Sequence, residues 1–332
     1  MELIFLNNKE IDRVLWDKGI SSSLNPMVFA ESWYLDICSP GWSAIVDVDY
    51  DLLFPVPLNR SVVLPLVMQP LFIQQLGIFS KHIPDPVVLK NVLHLLPYPV
   101  GNLNGNSSML VGFTKQFTEG LHNFPAKCSI KGFISIARTS VSQKGNCILS
   151  LTSSYKQLAE NYSDNCRRNL KTSQLRSSSI ETCSSSKQFI DFTKKHLNYS
   201  TSGKALNILK ELVNGALQRN CGFIISCNNN DGEPLAMAFF LNKYGLLTFL
   251  SGTSSQQGFE HRSMFSIIDH VIRKYAGTDV VLDFEGSNIS GVKRFYEGFG
   301  AHIEYYPTYE NRLLLKIWEL LRRVKKISQI TS

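Results

Sequence analysis

One stretch constrains the fold of this chain of 332 residues more than any other. Leu246 to Leu250 is an apolar run of strand length, and Ser251 to Gly258 reads as a loop of small and polar residues. Arg262 to Tyr275 then carries Met264, Phe265, Ile267, Ile268, Val271 and Ile272 at helical spacing, and Val280 to Phe284 is a second strand-like run. Gly286-Ser287-Asn288 reads as a turn and Ile289 to Gly298 as a short helix. His302 to Tyr306 and Arg312 to Trp318 read as last strands, or as a strand and a helix. That order suits a small mixed sheet in which two strands can splay apart.

Upstream of it, residues 189–197 and 205–220 have helical spacing, Gly222 to Cys227 reads as a strand, 228–232 as a polar turn, and Pro234 to Leu241 as the return strand. The N-terminal half offers the same outline. Residues 9–19 and 29–38 read as helices, Trp42 to Val48 as a strand, 49–51 as a polar turn and Leu52 to Leu58 as a second strand. The repeated order predicts a duplicated domain. Pro84 and Pro86 open a helix over 84–95. The Asn/Gly/Ser tract 101–108 and the Ser-rich tract 177–186 read as loops, and 109–142 as short strands and turns.

Apolar residues make up 44% and charged residues 18%, a globular composition. The net charge of +7 is not spread evenly. Basic and acidic side chains balance over 1–150 and again over 201–300, so the excess sits in 151–200 and 301–332. The 7 cysteines include no C-x-x-C pair, which argues against a zinc framework or a disulfide scaffold and for reduced thiols in a cytosolic protein. Met1 to Ile4 open no basic n-region and no long apolar run, so a secretory signal is not expected. The most apolar stretch, Val62 to Phe79, is broken by Pro65, Gln69, Pro70, Gln74 and Gln75, so no membrane-spanning helix is expected.

Asp283-Phe284-Glu285-Gly286-Ser287-Asn288, followed by Val292-Lys293-Arg294-Phe295-Tyr296-Glu297-Gly298-Phe299-Gly300-Ala301, resembles the C-terminal signature of the GNAT superfamily. More closely, it is similar to that of the tandem-GNAT FemA/FemB/FemX-like proteins. Tyr162 to Lys171 resembles the basic helix those proteins carry between their halves, and Ser32 to Leu35 and Gln69 to Gly77 resemble their N-terminal half. The resemblance covers most of the chain. It implies two GNAT-like domains, each a mostly antiparallel mixed sheet flanked by helices, and transfer of an acyl or aminoacyl group to an amine. The implied donor is acyl-CoA, acetyl-CoA in the simplest case, or aminoacyl-tRNA, with no metal. One departure stands out. The Q/R-x-x-G-x-G/A loop that presents backbone N–H groups to a pyrophosphate is reduced here to Gln256-Gln257-Gly258-Phe259-Glu260-His261-Arg262, with one glycine and an added acid.

Aminolysis needs a neutral amine, an oxyanion partner and an acid for the leaving group. Ser251, Gly252, Gln257 and Gly258 are the candidate donor contacts at the strand end. Tyr296 is the candidate acid; its other role is packing beside Phe295 and Phe299. Asp283 and Glu285 alternate with Phe284 along a strand, which puts both carboxylates on one face, as base, as ammonium site or as part of a helix-start turn. Arg167 and Arg168 open a basic cluster on a helix that suits phosphates or else a solvated face. Gln69, Gln74 and Gln75 either bind backbone groups or line a cavity for a polar substrate, with Ser287 and Asn288 as further substrate contacts. The seven histidines form no metal pattern.

The expectation is therefore an α/β protein of two GNAT-like domains, 1–148 and 149–332, the second with a basic entry helix and a basic amphipathic tail. The expected function is acyl transfer to an amine of a small molecule or of a peptidoglycan-precursor-like substrate, in the cytoplasm, with tRNA as a further partner. The alternative is a tandem-GNAT protein that binds a ligand or partner without catalysis.

Overall fold

The structure is a computed structural model that describes residues 2–60, 65–106, 139–176, 179–197, 203–286 and 289–328. The chain divides into two compact units, Met1–Lys144 with Tyr305–Ser332, and Gly145–Glu304.

In the first unit, β1 (Leu3–Leu6), β2 (Ser43–Asp47), β3 (Leu52–Val56) and β6 (Phe79–Ser80) form an antiparallel sheet in the order β1-β2-β3-β6. The β2–β3 hairpin is buried along its whole length. Its polar turn closes on Asp47, whose Oδ1 accepts from the N–H groups of Asp51 and Leu52 at 2.8 and 2.9 Å. The carboxylate thus replaces ladder partners that a tight turn cannot supply. Helix α1 (Arg13–Ser22) starts where Asp12 caps the N–H groups of Val14 and Leu15. It buries Trp16, which packs on Trp42 and donates its indole N–H to Ala30 O at 2.7 Å. Helix α2 (Ser32–Cys38) follows, and α3 (Pro86–His94) comes later.

A second strand set of this unit has β4 (Leu58–Asn59) beside β5 (Leu66–Met68), β5 parallel to β7 (Val100–Asn104), and β7 antiparallel to the last strand. The tract around 101, read as a loop from its Asn and Gly content, is therefore a strand up to Asn104; 107 and 108 lie outside the described residues, as do 109–138. The sequence division ends the first domain at 148 and keeps 149–332 together. In the structure, the residues from Tyr305 onward group with the first unit because Thr308, Tyr309 and Glu310 pair with Asn104, Leu103 and Asn102.

In the second unit, Gly145–Ser150 of β8 (Thr139–Ser150) begins a sheet ordered β8-β13-β12-β11-β10-β9. These strands are β9 (Ser179–Cys183), β10 (Gly222–Asn228), β11 (Pro234–Lys243), β12 (Leu246–Ser254) and β13 (Val281–Gly286). All pair antiparallel except β12 and β13, which are parallel. The β10–β11 hairpin repeats the strand, polar turn, strand order of β2–β3. The Ser-rich tract is not all loop. Ser179 to Cys183 pairs with β10, because Asn228 to Ile224 offers a free edge in register; 177 and 178 are not described.

The helices of this unit are α4 (Tyr155–Glu160), α5 (Asp164–Arg176), α6 (Ser186–His196), α7 (Gly203–Gln218), α8 (Gln256–His261), α9 (Ser263–Tyr275) and α10 (Ser290–Glu297). Ile267, Ile268, Val271 and Ile272 of α9 share one core with Leu247 and Phe249 of β12 and Leu282 and Phe284 of β13. The other face of the sheet takes α6, with Phe189 against Phe239. Helices α4 and α5 are tied to α9 through one carboxylate. Asp269 Oδ1 accepts from Tyr155 Oη at 2.8 Å and Tyr162 Oη at 3.0 Å. Strand β14 (His302–Asn311) and helix α11 (Arg312–Ser328) close the chain.

Candidate functional site

The second unit's sheet opens at one place. β12 and β13 pair only at Leu246–Val281, Leu247–Leu282 and Thr248–Asp283, yet β12 continues to Ser254 and β13 to Gly286. Beyond Thr248 the two strands part. β12 stays with β11 and absorbs the bend in a bulge, where Phe240 pairs with Phe249 but Phe239 pairs with Ser251. The expected loop from Ser251 is thus strand as far as Ser254. The next six residues are helix α8, because Ser255 caps it by accepting from Gly258 N–H at 3.0 Å.

A cavity of about 670 Å3 lies at this opening. Phe249, Gly252, Thr253 and Ser254 of β12, Gly258 and Phe259 of α8, and Val292, Arg294, Phe295 and Tyr296 of α10 contribute walls. Helix α5 adds Asn165 and Asn169, and the C-terminal end of α6 adds His196 and Leu197. Arg262, in the left-handed conformation at φ 61°, joins α8 to α9 and also lines the cavity. The side chains of Arg262 and Arg294 make no hydrogen bond or ion pair among the described residues and lie at the exposed rim.

Of the residues proposed from sequence, the cavity wall includes Gly252, Gly258 and Tyr296. Gly258 is not a phosphate cradle. A Cβ there would lie 1.9 Å from Leu235 O, so the glycine lets α8 close on β11, and its N–H is already used by the cap. Ser251 pairs with Phe239, and Gln257 is exposed on α8; neither is in the wall.

Asp283 and Glu285 are not among the wall residues. Their expected common face does not hold, because Glu285 has φ 57° and the pairing with β8 jumps from Asp283–Ile148 to Gly286–Asn146. The bulge turns Glu285 out of the strand alternation. Its N–H donates to Asp283 Oδ1 at 2.7 Å, and its Oε1 is buried with no hydrogen-bond partner. Burial, and then the neighbouring Asp283, hold the Glu285 carboxyl well above the ordinary range. Burial pushes Asp283 up to about 6 against the hydrogen bonds from Glu285 N–H and Asn146. Tyr296 is raised too, by burial first and then by Glu285. All three groups therefore favour their protonated forms relative to water.

The remaining candidates lie elsewhere. Arg167 is ion-paired with Asp164 at 2.9 Å on an exposed face, and Arg168 is exposed beside it. Cys166, Leu170 and Ser173 face the core, which turns Asn165 and Asn169, not the arginines, to the cavity. Helical spacing alone could have found this. In the first unit, Gln69 Nε2 donates to Ile73 O at 2.7 Å and its Oε1 accepts from Asn104 N–H at 2.9 Å. Gln74 O accepts from Asn104 Nδ2 at 2.7 Å, and Gln75 Nε2 donates to Gln74 Oε1 at 3.4 Å. Gln69 thus serves backbone groups of its own unit. Ser287 and Asn288 lie outside the described residues. Sequence reading passed over Arg262, although Arg294 stood inside the quoted motif.

Among the described residues no group of His, Cys, Asp and Glu could hold a metal, and no helix is long and apolar enough to cross a membrane. Among the described residues, Cys166 and Cys183 are free thiols.

No family model matches the chain. No curated protein matches it by sequence. Among solved structures, FemX aligns over 96% of this chain and 99% of its own at 10% identity, with a TM-score of 0.60. A conserved protein of unknown function from Bacteroides thetaiotaomicron aligns over 90% and 98% at 11% identity, with a TM-score of 0.55. A tandem GNAT protein from the clavulanic acid biosynthesis pathway aligns over 93% and 98% at 9% identity, with a TM-score of 0.49. The fold is that of FemX, in keeping with the FemA/FemB/FemX-like resemblance of the sequence.

Proposed function

We propose that this chain is an acyltransferase that moves an acyl or aminoacyl group from a donor in the second unit's cavity to an amine. One observation carries the reading. β12 and β13 part after Thr248–Asp283, and the cavity opens there with Tyr296 in its wall. Among the described residues the β12 edge beyond Thr248 has no strand partner on that side, so its backbone groups can face a carbonyl oxygen that becomes an oxyanion.

In the reaction the amine nitrogen bonds to the donor carbonyl, and the C–S or C–O bond then breaks. The departing sulfur or oxygen takes the Tyr296 proton. The tyrosinate left behind takes the proton lost by the amine, which restores Tyr296. Tyr296 is the group in contact with the ligands; the two carboxyls act through it.

Arg262 and Arg294 are the phosphate partners in this reading, with Asn165 and Asn169 beside them. Both donor classes, acyl-CoA and aminoacyl-tRNA, carry the phosphates these side chains require. The acceptor is an amine of a small molecule or of a peptidoglycan-precursor-like substrate. Calorimetry with acetyl-CoA, CoA and charged tRNA, followed by transfer of a labelled acyl group to added amines, tests the proposal. Binding of one donor with transfer supports it; binding without transfer leaves a ligand-binding protein; no donor binding rejects it.

A further inference from the structure

Helix α11 presents three separate faces. Leu314 and Trp318 are buried, and Trp318 packs on Leu66 and Met68 of β5. Leu313, Ile317 and Leu320 follow one another at four- and three-residue steps, so they form a stripe along a neighbouring face. Arg312, Lys316 and Arg323 form the next stripe round, all exposed, with Glu319 at their edge.

The apolar stripe is not covered. Leu320 is 61% exposed, Leu321 38% and Ile317 37%. Basic residues border it on one side; from Arg312 to Arg323 the helix holds Arg312, Lys316, Arg322 and Arg323 against the one acid Glu319. Arg322 lies over the Trp318 ring at 5.5 Å, which ties that cation to the buried face and leaves Lys316 and Arg323 on the outer one.

We propose that α11 is an interfacial anchor that lays its Ile317–Leu320 stripe into the surface of an anionic lipid bilayer. An exposed apolar stripe bordered by cations is the pattern of a helix lying in the membrane plane. Charge and burial separate this occupant from two others. A nucleic-acid backbone would use the cations but leave Ile317, Leu320 and Leu321 in water. A second copy of the helix would cover them but would set like charges against one another. An anionic bilayer satisfies both stripes at once and requires no membrane-spanning length.

Flotation of the full chain with phosphatidylglycerol vesicles and with phosphatidylcholine vesicles tests this. The protein is expected to float with the first and not the second, and to be released at about 0.5 M salt, where charge screening is short-ranged. K316Q/R323Q should bind about 30-fold more weakly, taking roughly 1 kcal/mol for each basic side chain at such a surface. I317S/L320S should also weaken binding, with an unchanged melting temperature because both side chains are exposed. Equal flotation with both lipids, or none with either, overturns the proposal. So does a dimer that dissociates in I317S/L320S while vesicles are ignored, or tRNA retention lost in K316Q/R323Q without any lipid binding.

Discussion

The Tyr296 ring stacks on Phe284, with centroids 4.6 Å and planes 22° apart. It also meets Phe249 edge-on at 6.2 Å. Phe284 and Phe249 are the first residues of their strands past the last β12–β13 pair, so the tyrosine fills the wedge where the sheet divides. Tyr296→Phe keeps that packing and removes the proton. Single-turnover acyl transfer should fall about 100-fold or more, the scale of lost general acid catalysis, with donor affinity unchanged. An unchanged rate would assign the tyrosine to packing alone.

Asp283 makes stability depend on pH. Its carboxyl moves from 3.8 unfolded to about 6 folded, so the folded state binds more protons between those values. Its contribution is therefore most favourable below about pH 4 and is lost as pH rises through about 6, a loss on the order of 3 kcal/mol. Asp283→Asn retains an oxygen for the Glu285 N–H and abolishes this titration. Urea unfolding at steps between those pH values should show a flatter profile for the variant. Parallel profiles would rule out the buried, ionisable aspartate.

Donor affinity should depend on the rim and not on the helix cluster. Arg262→Ala and Arg294→Ala each remove a free guanidinium, and each should weaken donor binding about tenfold or more, as for loss of a charged hydrogen bond. The salt dependence should flatten with them. Arg167→Ala should leave donor binding as it is, because Arg167 is committed to Asp164 on another face. Calorimetry at two salt concentrations distinguishes these outcomes, and a large effect at Arg167 would move the donor site.

Gly258→Ala is expected to be costly although alanine favours helices. The added methyl would meet Leu235 O of β11 at 1.9 Å, and backbone cannot yield as a side-chain tip can. A loss of about 3 kcal/mol, at the upper end of ordinary overpacking, should appear in the chemical melting curve. Wild-type stability in this variant would show that α8 is not seated on β11.

Asp269 is the joint between α4, α5 and α9. Asp269→Ala strands the buried Tyr162 hydroxyl and leaves Tyr155 only its bond from Arg273, and should cost about 3 kcal/mol. Hydrogen exchange should show α4 and α5 losing protection before the sheet does. Uniform loss across the second unit would mean that the aspartate supports the whole core and not this joint.

Much of the second unit is legible from side-chain periodicity. The runs at Gly222, Pro234 and Leu246 are strands because they are β-prone and bounded by Asn, Asp and Gly turns. The α9 helix follows from its apolar stripe. Sequence also singled out Tyr296, which lines the cavity, and put the charge excess in 151–200 and the tail. The arginine pair Arg167/Arg168 does not line the cavity, since a run of charge says nothing about which helical face meets it. Cys166 and Leu170, which set that face, were in plain view.

The chain's sequence determined the order of elements, the two hairpins, the balanced charge of 201–300 and the amphipathic tail, because each depends on residues close along the chain. Tertiary structure alone decided the rest. A positive φ at Glu285 and a two-residue jump in the β8 pairing broke an alternation that periodicity had promised. Contact of Gly258 with Leu235 changed a phosphate-loop glycine into a packing glycine. Parting of β12 and β13 brought Arg262 and Arg294, far apart in sequence, to one cavity. These outcomes rest on backbone torsions and on distances between separate elements, which residue types and spacings do not encode.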